Sequence, residues 1–262
     1  MSDAGTMLAH TPIALLYGLA VVVGLCLGSF AGLLAYRLPR GLPVVSGRSV
    51  CPACGRMLQI SELAPVLSYL WQRGRCAQCG SSISWRYPAL ELASAAVCVF
   101  ALWVAGAGAD AIMLALLGIG LLIIVFVDLE FQIIPDAVVV GLALLGAGYR
   151  FPEWSDAVLG AIIAGALAWL LRLWFLWLRN REALGLGDVK FFAMAGIWCG
   201  IGGLAPFMLL AGVFGILFAL GWRARGGGAE FPFGPALAMS LFAVAALAQT
   251  GWLIDGWVRI GH

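Results

Sequence analysis

The sequence predicts an all-α polytopic membrane protein with about eight transmembrane helices, because its apolar content is too high for a water-soluble domain. Of the 262 residues, 63% are apolar and 11% are charged, and the mean hydropathy is +1.02. A soluble domain is about half apolar and about a quarter charged, so the excess apolar surface has to face lipid. The net charge is only +2. We therefore expect a lipid bilayer, and no nucleic acid, among the partners of this chain.

The apolar stretches are long enough to cross, or nearly cross, a hydrocarbon core of about 30 Å. The sixth and seventh stretches, near residues 189–222, also fit a broken or re-entrant hairpin. The 35 glycines favour helices that approach one another closely, as small residues do in membrane bundles. The predicted spans are residues 13–35, 89–106, 111–128, 136–149, 157–178, 189–201, 204–222 and 234–251.

The positions of the arginines predict the orientation, because loops rich in Lys and Arg stay on the cytoplasmic side. Seven arginines lie within residues 37–87, and the other positive clusters fall on the same side of an eight-span topology. The opposite side receives Arg150, Arg259 and several acidic residues. We expect a cytoplasmic loop at 37–87, both termini outside, and a first helix that is retained rather than removed as a signal peptide.

The only long polar stretch carries two CxxC pairs, Cys51-Pro-Ala-Cys54 and Cys76-Ala-Gln-Cys79, each followed by glycine. Two such turns together supply the four thiolates of a closed tetrahedral zinc site, in which the metal is structural. Two disulfides or a redox pair are the alternative, and a reducing cytoplasm disfavours stable disulfides. The other cysteines lie in apolar spans and are interpreted as packing residues; they are Cys26, Cys98 and Cys199.

Two aspartates stand at the predicted cytoplasmic ends of spans. Asp128 closes the apolar run before LEFQIIPD, and Asp188 lies in the segment GLGDVK. Two carboxyl groups close together in a partly dry site share one proton, and such a pair can hydrolyse an amide by general acid–base catalysis. The alternative from the residues alone is that both carboxylates cap or anchor helices at the interface. For Asp136 we favour a structural role, as an N-cap or a support of the loop, and for Glu130 that of a solvated charge.

These motifs resemble those of a known family. Gly28-Ser29-Phe30, the run from Tyr36 to Pro39, the two cysteine pairs, Arg86-Tyr87-Pro88 and Glu91-Leu92 are similar to the N-terminal half of type IV prepilin peptidases. The segments FVDLEFQIIPD, GLGDVK and Pro232-Phe233-Gly234-Pro235 are similar to their second half. The resemblance covers about residues 24–240, with the motifs in one order.

The resemblance implies a GxGD-type aspartyl peptidase of the bacterial inner membrane, with its active site facing the cytoplasm. It would remove the short basic leader of type IV prepilins or type II secretion pseudopilins, with Asp128 and Asp188 as the catalytic pair. The surrounding motif residues are Pro135, Asp136, Gly185, Gly187 and Lys190. Three regions are expected: a first transmembrane helix at 1–36, a cytoplasmic zinc-binding insert at 37–87 and a protease core at 88–262.

Family members with the cysteine insert commonly also methylate the new N-terminal amine with S-adenosylmethionine, so the resemblance implies a second activity. This chain departs from the family pattern after Gly-Ser-Phe, where Ala31-Gly32 replaces the usual Leu-Asn. A peptidase without methyltransferase activity is therefore an alternative. A presenilin-type protease, suggested by Pro235-Ala236-Leu237, and a non-enzymatic scaffold or transporter are weaker ones. The sequence identifies no methyl-donor site, oligomeric state or leader-binding residue; the acidic candidates for the leader are Glu62, Glu130, Asp136 and Glu182.

Overall fold

The structure, a computed structural model, describes residues 12–179, 184–228 and 231–250. No β-strand occurs in these ranges, so the all-α prediction is confirmed. The short helix α2 lies in the polar insert, and the other helices are apolar. The helices are α1 (Ile13–Arg37), α2 (Leu67–Trp71), α3 (Arg86–Ala105), α4 (Ala109–Phe131), α5 (Asp136–Tyr149), α6 (Trp154–Arg179), α7 (Leu186–Ala224) and α8 (Gly234–Gln249).

Five helices, α1, α3, α4, α6 and α7, are long and apolar enough to cross a membrane, while α5 and α8 are shorter apolar helices. Large apolar side chains lie outward along them, including Leu19 on α1 and Leu170 and Trp177 on α6. Because such side chains are stable outside a core only in a lipid environment, the chain is a multi-pass membrane protein. The predicted number of about eight spans is confirmed only in part.

The sixth and seventh predicted spans, 189–201 and 204–222, lie within one helix, α7, whose backbone is broken at a glycine. At 1.5 Å per residue its 39 residues would extend about 58 Å, nearly twice the hydrocarbon core. The backbone leaves the helical conformation at Gly200, with φ 60° and ψ −174°. The side chain of Asp156, itself paired with Arg150, accepts a hydrogen bond from the N–H of Ile201 at 3.2 Å. The two halves therefore meet at one glycine, with no loop between them.

The chain forms two compact units, residues 1–122 and residues 123–262. In the first unit α1 packs along α3, and small residues make this approach possible. A Cβ on Gly24 would lie 2.5 Å from Cα of Ala95, and one on Gly28 would lie 2.6 Å from Cα of Glu91. The predicted use of glycine for close helix contact is confirmed at these two positions.

The insert between α1 and α3 is built from turns and from the short helix α2. Its first loop is held by Arg37, which ends α1 and donates hydrogen bonds to the backbone carbonyls of Pro43 and Gly47, at 2.8 and 3.1 Å. A 3₁₀ turn at Ile60–Leu63 precedes α2. Most apolar side chains of the insert stay exposed, so a hydrophobic core does not hold it together.

The second unit is organised around α7, which packs against α5, α6 and α8. Gly160 of α6 and Gly196 of α7 face each other so closely that a Cβ on either would overlap the opposite backbone. The indole N–H of Trp198 donates to the carbonyl of Leu142 at 3.0 Å and joins α7 to α5. These contacts place the first turn of α7 beside the first turn of α5.

We expect Gly24→Leu to destabilise the protein, because the new side chain would overlap the backbone of α3. Overpacking of this kind costs about 1–3 kcal/mol. The matched control is Gly18→Leu on the same helix, since a Cβ at Gly18 meets nothing within 4 Å. Thermal unfolding in detergent should show a lower midpoint for Gly24→Leu alone; equal midpoints in both variants would contradict this packing.

Candidate functional site

Asp128 lies in the last turn of α4, and its side chain is almost fully enclosed, with 4% of the residue exposed. Its Oδ2 accepts a hydrogen bond from the backbone N–H of Gly234 at 2.7 Å. Gly234 is the first residue of α8, where the helix dipole places partial positive charge. A Cβ on Gly234 would lie 2.7 Å from the same oxygen. The close approach of carboxyl group and helix end therefore requires glycine.

The segment after Asp128 turns sharply into α5. Gln132 adopts a left-handed conformation, with φ 55°, and its N–H donates to the carbonyl of Asp128 at 2.9 Å. Pro135 occupies the N-cap position of α5, and its carbonyl accepts from the N–H of Val138 and Val139. The N-cap role predicted for Asp136 is therefore wrong, because Asp136 is the first helical residue.

Asp188 lies in the first turn of α7, half-buried, and its Oδ2 accepts from the N–H of Gly185 at 3.0 Å. Gly187 lies against the loop that leads into α5: a Cβ there would be 3.1 Å from Cβ of Ile134. Lys190, two residues beyond Asp188, donates to both carboxylate oxygens of Asp136 at 2.7 and 2.8 Å. The ion pair and the glycine contact hold the starts of α5 and α7 together.

The three motifs of the second half, FVDLEFQIIPD, GLGDVK and residues 232–235, thus lie close to one another. Gly234 contacts Asp128 directly, and the carboxyl groups of Asp128 and Asp188 lie within range of electrostatic interaction. Two neighbouring carboxyl groups, one buried and one half-buried, are the groups from which general acid–base catalysis can be built. The part of the second unit that the structure describes brings together every residue predicted for this site.

The cysteine pairs form the second predicted site. The four Sγ atoms of Cys51, Cys54, Cys76 and Cys79 lie within 4.8 Å of one another, and those of Cys51 and Cys79 are 3.9 Å apart. A tetrahedron with metal–sulfur bonds of about 2.3 Å has edges of about 3.8 Å. All seven cysteines are free, so the disulfide alternative receives no support. This cluster fits a metal ion with four thiolate ligands.

Each knuckle has the same backbone geometry. Gly55 and Gly80, with φ of 70° and 69°, donate their N–H to the carbonyls of Cys51 and Cys76, both at 2.9 Å. Isolated bridges, Val50 to Met57 and Arg75 to Ser82, close both turns. A left-handed residue at the end of such a turn favours glycine, which explains the glycine after each pair.

In each knuckle the backbone favours the thiolate form of the first cysteine, whereas burial and the neighbouring thiols raise the pKa of Cys54 to about 11. The N–H groups of Cys79 and Gln78 lower the pKa of Cys76 to about 6. Those of Cys54 and Ala53 lower the pKa of Cys51 in the same way. Since hydrogen bonds to sulfur stabilise the charged form, less proton displacement is needed for a metal to bind.

Comparison with known proteins places the chain in a family. Residues 22–105 match the model of the bacterial peptidase A24 N-terminal domain, and residues 115–220 match that of the type IV leader peptidase family. The chain belongs to the type IV leader peptidase family. The predicted resemblance is confirmed. No solved structure matches the chain.

Relatives of this leader peptidase carry the name prepilin leader peptidase/N-methyltransferase. That of Pseudomonas putida is 34% identical, over 96% of this chain and 94% of its own length. That of Burkholderia pseudomallei strain K96243 is 36% identical, over 95% of this chain and 91% of its own length. That of Neisseria gonorrhoeae is 30% identical, over 91% of this chain and 93% of its own length. The similarity extends over nearly the whole of each protein.

Two residues that contact the candidate site or the segment beside it have no role assigned from the sequence. Gly234 was noticed only as part of a motif, and its contact with Asp128 spans 106 positions. Arg172 lies buried in α6 and donates to the carbonyl of Leu184 at 2.8 Å, next to the segment that carries Asp188. A single arginine within the apolar run WLLRLWFLW is an unusual feature, and it is the sequence signal that would have pointed to this residue.

The remaining predictions have mixed outcomes. Cys98 and Cys199 are buried, as expected of packing residues, whereas Cys26 is exposed on α1. Among the acidic candidates for a leader, Glu62 is paired with Arg56. Asp136 is paired with Lys190, Glu130 is exposed, and Glu182 lies outside the described residues.

We expect the double variant Cys51→Ser, Cys76→Ser to lose a tightly bound metal ion, because each knuckle then keeps only one thiolate. The matched control is Cys98→Ser, which removes a buried thiol from α3. Elemental analysis of purified protein should find about one metal per chain in wild type and control, and almost none in the double variant. A full metal content in the double variant would rule out this cluster as the binding site.

Proposed function

We propose that this chain is a membrane-embedded aspartyl endopeptidase that also N-methylates its product. It removes the leader of type IV prepilins or type II secretion pseudopilins at the cytoplasmic face of the bacterial inner membrane. The observation that carries the proposal is the buried carboxyl group of Asp128, which accepts a hydrogen bond from the N-terminus of α8 and interacts electrostatically with Asp188. The names and motifs of the relatives supply the substrate class.

The proposed cleavage follows from two carboxyl groups that share one proton. The ionised group accepts a proton from water, whose oxygen bonds to the scissile carbonyl carbon while the protonated group donates to the carbonyl oxygen. The tetrahedral intermediate then releases the amine as the C–N bond breaks and the nitrogen takes up a proton. The N–H groups of Gly234 and Gly185 hold the carboxyl groups of Asp128 and Asp188 in place.

In the cysteine cluster we propose a structural zinc ion. Four thiolates satisfy the tetrahedral preference of zinc and leave no position for a substrate or water. Cys51, Cys54, Cys76 and Cys79 would hold it, and it would replace the hydrophobic core that the insert lacks. A cytoplasmic location keeps these thiols reduced.

For the methyltransferase activity, S-adenosylmethionine supplies an activated methyl group. The free amine of the cleaved pilin attacks the methyl carbon, the C–S electron pair stays on sulfur, and the nitrogen releases one proton. Gly32, which replaces the usual asparagine, is buried between α1 and α3, where a Cβ would lie 3.2 Å from the ring of Tyr87. This contact concerns helix packing and carries no information on donor binding, so a peptidase without methyltransferase activity stays the alternative.

Asp128→Asn and Asp188→Asn should each abolish leader cleavage, because an amide keeps the shape of the side chain but cannot exchange the shared proton. We expect a loss of at least about a thousandfold, as for other acid–base groups that act as a pair. The measurement is cleavage of a purified prepilin, with thermal unfolding as a check of the fold.

Asp110→Asn is the matched control, since Asp110 lies in the first turn of the same helix as Asp128 and should leave cleavage near the wild-type rate. A folded Asp128→Asn or Asp188→Asn variant with near-normal turnover would show that the pair is not catalytic.

Gly234→Ala should slow cleavage by about ten- to a hundredfold, because the new methyl group would displace the carboxyl group of Asp128. Its matched control is Gly228→Ala, since a Cβ at Gly228 meets nothing within 4 Å. We expect kcat to fall with little change in KM, because Gly234 acts on the reacting group. Equal rates for both variants would contradict the proposed support of Asp128 by α8.

A further inference from the structure

The insert contains a cavity that the peptidase chemistry does not use. Its volume is about 310 Å³, at the small end of the range for small-molecule sites. Its walls come from three pieces of the insert: the residues after the first knuckle, the 3₁₀ turn at Ile60–Leu63 with helix α2, and the second knuckle. All of its lining residues belong to the first unit.

One wall of the cavity is a neutral, rigid ion pair. Both oxygens of Glu62 accept hydrogen bonds from the guanidinium of Arg56, and the N–H of Gln59 donates to one of them at 2.8 Å. The arginine lowers the pKa of Glu62, so the pair stays ionised near neutral pH. Glu62 is also the only acidic residue in 37–87. A basic leader peptide would therefore find no uncompensated carboxylate here.

The rest of the lining is an aromatic face surrounded by neutral hydrogen-bonding groups. Trp71 is 78% exposed, so its indole ring is open to a ligand. The amides of Gln59 and Gln72 and the hydroxyls of Ser61 and Ser68 lie around the cavity. Such a lining fits a ligand with a flat ring that carries hydrogen-bond donors and acceptors at its edge. The ring can stack on the indole while its edge atoms bond to the amides and hydroxyls.

We propose that this cavity binds the adenosyl part of S-adenosylmethionine, with Trp71 stacked against the adenine. The inference rests on the proposed methyltransferase function and gives that function a place in the chain. Neutral amides and hydroxyls suit the ring edges and the ribose, and the π-face of an indole also attracts a cationic group such as a sulfonium.

The cysteine cluster is adjacent in sequence to two residues that line this cavity. Arg56 follows Cys54 by two positions, and Ala77 lies between Cys76 and Cys79 in the second knuckle. A metal ion that joins the two knuckles would therefore hold both of these lining residues in place. Loss of the metal abolishes donor binding, although no thiolate touches the donor.

The test is equilibrium binding of labelled S-adenosylmethionine to the full-length protein in detergent, which requires no turnover. Trp71→Ala should raise the dissociation constant by about tenfold or more, the effect of losing one base–aromatic stack. Trp71→Phe should restore most of the affinity. Trp85→Ala is the matched control, because Trp85 is 71% exposed in the same insert but does not line the cavity.

Methylation of a pre-cleaved pilin and cleavage of a prepilin are measured in parallel. If wild-type protein neither binds the donor nor methylates, the methyltransferase part of the proposed function fails. If wild type does both and Trp71→Ala binds as tightly as wild type, the cavity assignment is overturned. It is also overturned if Trp71→Ala raises KM for the prepilin while donor binding is unchanged, since the cavity then serves the substrate peptide.

A second variant covers the case in which Trp71→Ala loses its metal. Ser61→Phe fills the cavity from the 3₁₀ turn without removing a stacking group. With metal content unchanged, it should reduce donor binding as strongly as Trp71→Ala. Normal binding by a metal-replete Ser61→Phe protein would overturn the proposal.

Discussion

A carboxyl group enclosed at the end of a membrane helix needs a hydrogen-bond donor, and in this protein the backbone of another helix supplies it. Burial without a partner costs several kcal/mol for a charged group. The N–H of Gly234 meets Asp128 with the positive end of α8 behind it. This requirement explains why the motif at residues 232–235 has a glycine as the first residue of α8. Any side chain at position 234 would separate the donor from the acceptor.

The neighbouring contacts arrange the site rather than stabilise the fold. The Asp136–Lys190 pair is more than half exposed on both sides, and such pairs contribute about 0–1 kcal/mol. Its effect is geometric, because it joins the first turns of α5 and α7 on either side of the loop that follows Asp128. Gly187 lets that loop lie against α7. Arg172 donates a hydrogen bond to the carbonyl of Leu184 and so fixes the chain just before α7 begins. The second carboxyl group is positioned by these polar and small residues together.

The sequence was sufficient to predict features that depend on local spacing. The two cysteine knuckles were predictable because each ligand pair and its glycine lie within five residues, and the apolar spans because their length is set by the bilayer. The contact of Gly234 with Asp128 joins residues 106 positions apart, and no local pattern encodes it. The same holds for the capping of Ile201 by Asp156, 45 positions away. A glycine-rich run marked the region of that break, but its place at Gly200 depends on a different helix.

The matching geometry of the two knuckles has a consequence for how the insert can diverge. Both turns are closed by their own backbone bonds and bridges, within residues 50–57 and 75–82, so each is complete without the residues from 58 to 73. Those residues form a loop pinned at its two ends, and the entropy of closing such a loop rises by only about 0.6 kcal/mol for each doubling of its length. A change in the length of this segment therefore leaves both knuckles intact, whereas a change at the residues that line the cavity, such as Trp71, would alter the proposed donor site.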